Sequence, residues 1–411
     1  MSALPLSDVK VLDLSRLLPG GFCSLLLADL GAEVLKVEDT GMGDYIRWAP
    51  PYYGSDEQQE LGTRSALYLS LNRGKRSIRL DLKSEAGREA LLRLIKDYDV
   101  VLDGFRPGVL DRLGVGYERM REVNPGLVFC AITGYGQDGP YAQRAGHDMN
   151  YLGLVGLLGL TGAKDGPPVQ SGGQIADLGG GALMAAFGVM AALHERRNSG
   201  EGQMVDISMA DGALSWLAMV AGRYFCDGEV PQRGEQQLAG GTVCYLPYEA
   251  SDGWISCGAL EPKFWAAFCN GVGRPDLIEV QFEAPGSDGW RQVADVFRSR
   301  TRSEWKEFND EHDCCIEPVL DVDEALDSEL VRARQMVVEM EQPELGTVRQ
   351  LGVPVKLSRT PGDPTRSAPA FGEHTGEVLR EAGYSEEEIA AMLESGAAAG
   401  PSADAATTFR A

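Results

Sequence analysis

Val9-Lys10-Val11-Leu12-Asp13-Leu14, the turn Leu18-Pro19-Gly20-Gly21, an apolar run from Phe22 to Leu30, and Ala32-Glu33-Val34-Leu35-Lys36-Val37-Glu38 together decide the fold. The first and last segments are short, valine- and leucine-rich runs of strand length. The run between them carries apolar residues at helical spacing and stops at Gly31, a residue that commonly ends helices. Strand, helix and strand in succession imply parallel pairing through a helical crossover, and hence an α/β sheet. Pro19-Gly20-Gly21 departs from G-x-G-x-x-G, so a dinucleotide fingerprint is not matched.

The alternation continues downstream. Residues 40–70 are rich in glycine, proline and tyrosine and read as a long surface excursion, part of a ligand cleft. Asn72 to Ser77 leads into a strand over Ile78–Leu82. Ser84 caps a helix over 85–98 with Leu91, Leu92, Leu94 and Ile95 as its stripe. Val100–Asp103 and Leu127–Thr133 are strands. A helix is expected from Gly179 to Asn198, a strand over 204–209 and a helix over 210–225. From Thr242 the pattern changes to a hairpin around Asp252-Gly253 and helices near 262–271, 288–300 and 302–311. The expected organisation is a large Rossmann-like domain over 1–227, a smaller α+β domain over 228–325, and a linker with a C-terminal return to the large domain over 326–395. Residues 396–411, rich in alanine, glycine and serine, read as a disordered tail.

The chain has 411 residues and a formal charge of −23, with 44% hydrophobic and 24% charged residues. This is the composition of a globular protein with an ample core. The charge argues against nucleic acid and against an anionic membrane surface as partners. The eight cysteines show no C-x-x-C and no zinc spacing, so no metal is expected and reduced thiols in a cytoplasm fit best. Neither a signal peptide nor a run of 18 apolar residues is seen.

Among the four histidines, His147 has the most suggestive setting. It lies in GHDMNY (146–151), a polar break after the strand over 127–133. Asp177 follows, just ahead of Gly179-Gly180-Gly181. One imidazole and one carboxylate at loop-to-helix junctions suit proton transfer at a single carbon. Imidazole as a class titrates near neutrality. A carboxylate joins it when burial raises its pKa. The glycines let a ligand approach backbone N–H groups at a helix start, or let elements pack closely. Asp148 reads as a cap for the segment that follows it. Arg73, Lys75, Arg76, Arg79 and Lys83 form the densest basic cluster, a phosphate cradle or a solvated strand rim.

The ordered set LGAEVLKVE (30–38), GKRS (74–77), LDLK (80–83), FRPG (105–108), TGYGQDGP (133–140), IADLG (175–179) and GEGQMVD (200–206) resembles the class III coenzyme A transferases, the CaiB/BaiF family. Within it, GHDMNY and GALEPKF (258–264) are similar to the α-methylacyl-CoA racemase branch. The resemblance implies an interlocked homodimer acting on an acyl-CoA, with CoA as the substrate's carrier group and no tightly bound cofactor. It implies His147 and Asp177 as two acid/bases of an epimerisation through an enolate, and Glu261 as the group that orients His147. It implies CoA contacts from Lys36, Arg73, Lys75, Arg76, Leu80, Asp81, Leu82, Lys83, Arg106, Gly146, Asp148, Met149, Asn150 and Tyr151. The alternative is acyl-CoA:carboxylate CoA transfer with Asp177 as nucleophile; a non-catalytic acyl-CoA binder is a third reading. Two departures stand out. Asp39 and Thr40 occupy the place where many members carry a CoA-contacting arginine, and GGTVCY (240–245) differs near the expected acyl pocket.

Overall fold

β1 (Lys10–Asp13) lies at the middle of a seven-stranded sheet. The computed structural model describes residues 4–54 and 64–401. Part of the expected excursion over 40–70, namely 55–63, and most of the expected tail, 402–411, lie outside the described residues. β2 (Glu33–Glu38) and β3 (Lys75–Leu80) pair in parallel on one side of β1. β4 (Val100–Asp103), β5 (Val128–Thr133) and β6 (Met204–Ser208) pair in parallel on the other. The chain therefore reverses its direction of travel across the sheet between β1 and β4. In open α/β sheets, ligands bind outside the carboxyl ends of the strands at such a reversal.

The elements form for local reasons. β4 and β5 are buried along their whole length, as strands covered on both faces must be, which is why they read as unbroken apolar runs. Helix Glu85–Ile95 starts where the Ser84 hydroxyl accepts the Gly87 N–H at 3.0 Å. Its Leu91, Leu94 and Ile95 pack with Leu12, Leu35, Ile78, Val101 and Phe129 into the main core. Each such side chain contributes about 1.5–3 kcal/mol. Helix Leu17–Asp29 begins earlier than its apolar run suggests, because Pro19 is tolerated within a first turn. Its first residue, Leu17, has φ +60, a left-handed conformation that is costly for a branched side chain.

The tail departs from expectation within the described residues. Ala398–Ala399 forms a strand antiparallel to β3, with Ala398 opposite Leu80. It supplies partners to an edge that would otherwise be open, and both Ala397 and Ala398 are buried.

The chain groups into two compact units, one of Met1–Val155, Gly173–Ser215 and Leu330–Ala411, the other of Gly156–Gly172 and Trp216–Glu329. The boundary expected after residue 227 thus falls at Trp216, and a detached piece, Gly156–Gly172, joins the second unit. Helix Ala218–Asp227, which buries none of its residues, falls in the second unit. In the second unit β7 (Tyr245–Ala250), β8 (Gly253–Gly258) and β9 (Ile316–Pro318) form an antiparallel sheet. Its core is an aromatic stack, with Tyr248 and Phe268 each parallel to Phe297 at 4.5 and 5.0 Å.

Candidate active site

β5 ends at Thr133, and the chain returns to the first unit's surface at His147. His147 is the N-cap of helix Asp148–Leu154. Its backbone N–H donates to the Asn150 Oδ1 at 3.0 Å, and the residue is exposed. The Tyr151 hydroxyl donates back to the Gly146 carbonyl at 2.5 Å. Tyr151 stands edge-on to Tyr135 at 5.1 Å. A Cβ at residue 146 would meet the Tyr151 ring at 2.7 Å and the Tyr135 hydroxyl at 2.8 Å, so glycine is required there. Residues 146–151 are thereby held as a rigid corner with the imidazole outward.

Asp177 lies in the first turn of Ile175–Leu183, a wide-bore π-helix that runs directly into helix Met184–Ser199. The helix thus starts before Asp177 rather than after it. This continuous helix is apolar enough in composition to cross a membrane, but its first part packs on helices Leu17–Asp29, Asp148–Leu154 and Met209–Ser215. Gly180 and Gly181 serve that packing. A Cβ on Gly212 would lie 2.1 Å from the Gly180 carbonyl, and one on Gly181 would lie 2.8 Å from Met209. These glycines are buried against protein, which corrects the expectation that a ligand approaches their backbone.

Asp148 joins the two catalytic candidates. Its Oδ1 accepts the N–H groups of Ala176 at 2.6 Å and Asp177 at 3.1 Å. Asp148 therefore caps not its own helix but the π-helix that carries Asp177. These are two first-turn donors that have no partner inside that helix. The residue is only 5% exposed, and its Oδ2 is buried without a hydrogen-bond partner. Burial pushes the Asp177 carboxyl up, the Asp148 charge adds to this and His147 opposes it, leaving the group at about 6. Burial likewise raises the Tyr151 phenol to about 12, with Asp177 adding and Arg106 opposing. His147, Asp148, Tyr151, Asp177 and Arg106 therefore share one electrostatic neighbourhood within the first unit. A carboxyl that titrates near neutrality beside an imidazole can both give and take a proton.

Glu261 belongs to the second unit. It is exposed at the N-cap of helix Pro262–Gly271 and lies near Cys315. The same unit holds a largely apolar cavity of ≈ 1440 Å³ that includes Gly240, Gly241 and Tyr245 of the GGTVCY segment.

The expected phosphate cradle is corrected. β3 starts at Lys75, so its basic residues lie in a strand, and Lys75 and Arg79 point inward with Ser77. Lys75 Nζ lies 3.4 Å from Asp13 with both fully buried. Lys36 pairs with Asp44 at 2.8 Å and is equally buried. Arg73 clasps Asp29 through two nitrogens at 2.8 and 2.6 Å. Arg76 binds Glu377 and Glu381 of the C-terminal return, each at 2.9 Å. Arg79 donates to the Thr40 and Gly400 carbonyls at 2.6 and 3.0 Å. Lys36, Arg73, Lys75 and Arg76 are thus each paired with a carboxylate of the chain itself, whereas Arg79 is held by neutral carbonyls and joins β3 to the chain's C-terminal part. Leu80 lies in the core, and Asp81 turns the chain by accepting the Lys83 N–H at 3.0 Å. Leu82 is half-buried; Lys83, Arg106, Met149 and Asn150 are exposed. Arg106 follows β4 at the sheet's point of reversal, where an anionic ligand is expected.

Sequence reasoning missed one contributor: Tyr135 braces Tyr151, and only its place in TGYGQDGP hinted at it.

Comparison with known proteins places this geometry. Residues 6–375 match the family described as CoA-transferase family III. The chain is 36% identical over 393 residues to the alpha-methylacyl-CoA racemase of Mus musculus, covering 93% of this chain and 95% of that one. It is 35% identical over 393 residues to the succinyl-CoA:mesaconate CoA-transferase of Haloarcula marismortui, covering 92% and 96%. A CAIB/BAIF family protein from Brucella suis has the same fold, with a TM-score of 0.80, 29% identity, and 93% of this chain and 100% of that one covered. With the parallel sheet, the His147 corner and Asp177 all within the matched residues, the chain belongs to CoA-transferase family III and is an enzyme of that class.

Proposed function

We propose that the protein epimerises 2-methylacyl-CoA thioesters by 1,1-proton transfer, with His147 and Asp177 as the two acid/bases. The observation that carries this reading is the Asp177 carboxyl at about 6 in the electrostatic reach of His147. One group removes the α-proton next to the thioester carbonyl. The resulting enolate takes a proton from the other group on the opposite face. Each group must then be competent in both states, which an ordinary carboxylate at neutral pH is not. The racemase relatives support the assignment. Within this reading Glu261 orients the imidazole, a role tested by Glu261→Gln. The homodimer expected from the resemblance is part of the proposal. It is supported by Leu183, Phe187 and Met190, which stand exposed on one face of the long apolar helix.

The second reading is CoA transfer with Asp177 as nucleophile. It is favoured by transferase relatives of nearly equal identity. One experiment separates the two: a chiral 2-methylacyl-CoA in deuterated water without acceptor acid. Deuterium at the α-carbon with loss of configuration is expected. No exchange, but CoA transfer once a free acid is added, refutes the epimerase.

A further inference from the structure

Beneath the point of reversal, the turn Ser15-Arg16-Leu17 at the end of β1 is held by buried charge. The Ser15 N–H and hydroxyl donate to Asp13. Lys36 Nζ donates to the Ser15 carbonyl at 3.1 Å. The Leu17 N–H donates to the Asp44 carboxylate at 3.2 and 3.3 Å, and Asp44 is itself fixed by Lys36. Leu17 keeps φ +60 in this clasp. Backbone strain of this kind persists only where the surroundings over-determine it, and it gathers at binding sites.

What the clasp presents is Arg16. Its guanidinium lies over the Phe105 ring at 5.5 Å and pairs with Asp39 at 2.6 Å, the two side chains being 38% and 39% exposed. Among the described residues, the ion pairs Lys36–Asp44, Arg47–Glu38 and Lys75–Asp13 nearby are all buried. An ion pair this exposed is held weakly and exchanges its partner readily. Asp39 is anchored independently, since its Oδ1 accepts the Gly41 and Gly43 N–H groups at 2.8 and 3.1 Å. The guanidinium can therefore leave without unravelling the turn after β2. Phe105 and the exposed Arg106 follow the end of β4, the strand next to β1.

We propose that Arg16 is the cation that binds the phosphates of the CoA nucleotide in the crevice between β1 and β4, with Asp39 as the partner it gives up. The proposal rests on the acyl-CoA reading above and adds a residue to it. Arg16 thereby supplies, from the β1 turn, the positive charge that Asp39 and Thr40 do not. A planar guanidinium binds phosphate through two parallel hydrogen bonds, which the compact ammonium of lysine does not reproduce.

The test is titration calorimetry of the full chain with CoA, dephospho-CoA and pantetheine. Arg16→Gln is expected to weaken CoA about tenfold to hundredfold and to leave pantetheine unchanged, with Arg16→Lys in between. Equal loss for dephospho-CoA places Arg16 on the diphosphate; loss for CoA alone places it on the ribose phosphate. Asp39→Asn keeps the acceptor for Gly41 and Gly43 and removes the competing charge, so it is expected to tighten CoA several-fold. An Arg16→Gln protein with the wild-type ratio of CoA to pantetheine affinity overturns the proposal, as does weaker CoA binding by Asp39→Asn. If the wild type binds none of the three, the acyl-CoA reading itself fails, and Arg16 with it.

Discussion

Replacing Asp148 by asparagine isolates the electrostatic part of the proposed mechanism. The amide oxygen keeps the acceptor for the Ala176 and Asp177 N–H groups, so the π-helix start stays in place while the negative charge disappears. Asp177 stands at about 6 against an ordinary 3.8. At pH 7 about a tenth of it is then protonated, against less than about one in a thousand for an ordinary carboxyl. Burial and the Asp148 charge together thus raise the acid form on the order of a hundredfold. Burial is the larger cause and survives the substitution. The expected loss in kcat/KM for α-proton exchange at pH 7 is therefore about threefold to tenfold. Epimers at C2 are nearly equal in energy, so both directions must slow together. The assay is deuterium incorporation from pH 5 to 9, in which the limb governed by Asp177 moves to lower pH. A nucleophilic Asp177 behaves oppositely, because it needs the ionised form. Asp148→Asn would then gain activity below pH 6 and lose none at pH 7. That result, or an unmoved limb, refutes the reasoning.

His147→Ala should abolish exchange into the α-carbon, measured by mass spectrometry, whereas a protein that keeps much of its turnover uses Asp177 covalently. Asp177→Asn should be inactive yet more stable at neutral pH. The folded pKa lies above the unfolded one, so the carboxyl's stability contribution is full below pH 3.8 and is lost as pH rises through about 6. Discounted for solvent screening, the gain at pH 7 is about 1–2 kcal/mol and vanishes near pH 4, as urea melts at the two pH values should show. Arg47→Met should cost about 3–5 kcal/mol in the same melts, because it removes the ion-pair partner of the buried Glu38. Burial raises the Glu38 pKa, but Arg47 overrides that and holds it near 2, so the wild-type pair should resist acid until well below pH 4.

The sheet was legible because its information is local. β1 and β2 were read within a residue or two, since short valine- and leucine-rich runs on either side of a helical stretch have few other uses. The corner at His147 was legible as a polar break between apolar segments. What escaped were pairings across sequence distance. Nothing near Arg73 announces Asp29, and nothing near Asp148 announces Ala176. A run of basic residues looks the same in sequence whether it faces a ligand or an internal carboxylate. Ala398–Ala399 was illegible for a related reason: small residues after a helix look loose unless the open edge of β3 is known. The π-helix has no residue signature of its own.

The placement of charge follows from what a strongly acidic chain must do to hold an anionic thioester. A net charge of −23 repels phosphates at long range, and salt screens that repulsion beyond about 8–10 Å. Affinity must then come from cations fixed at close quarters. The buried pairs Lys36–Asp44 and Lys75–Asp13 add little stability for their desolvation cost. They hold the Ser15–Leu17 turn in a conformation that a branched residue resists, and so fix the direction in which Arg16 points. The other arm of the site follows the same logic with opposite sign. There a buried carboxylate, Asp148, locks the backbone at Asp177 and raises its pKa in one contact. In both places an interior charge sets the geometry, and the half-exposed residue it holds, Arg16 or Asp177, is the one proposed to meet the substrate.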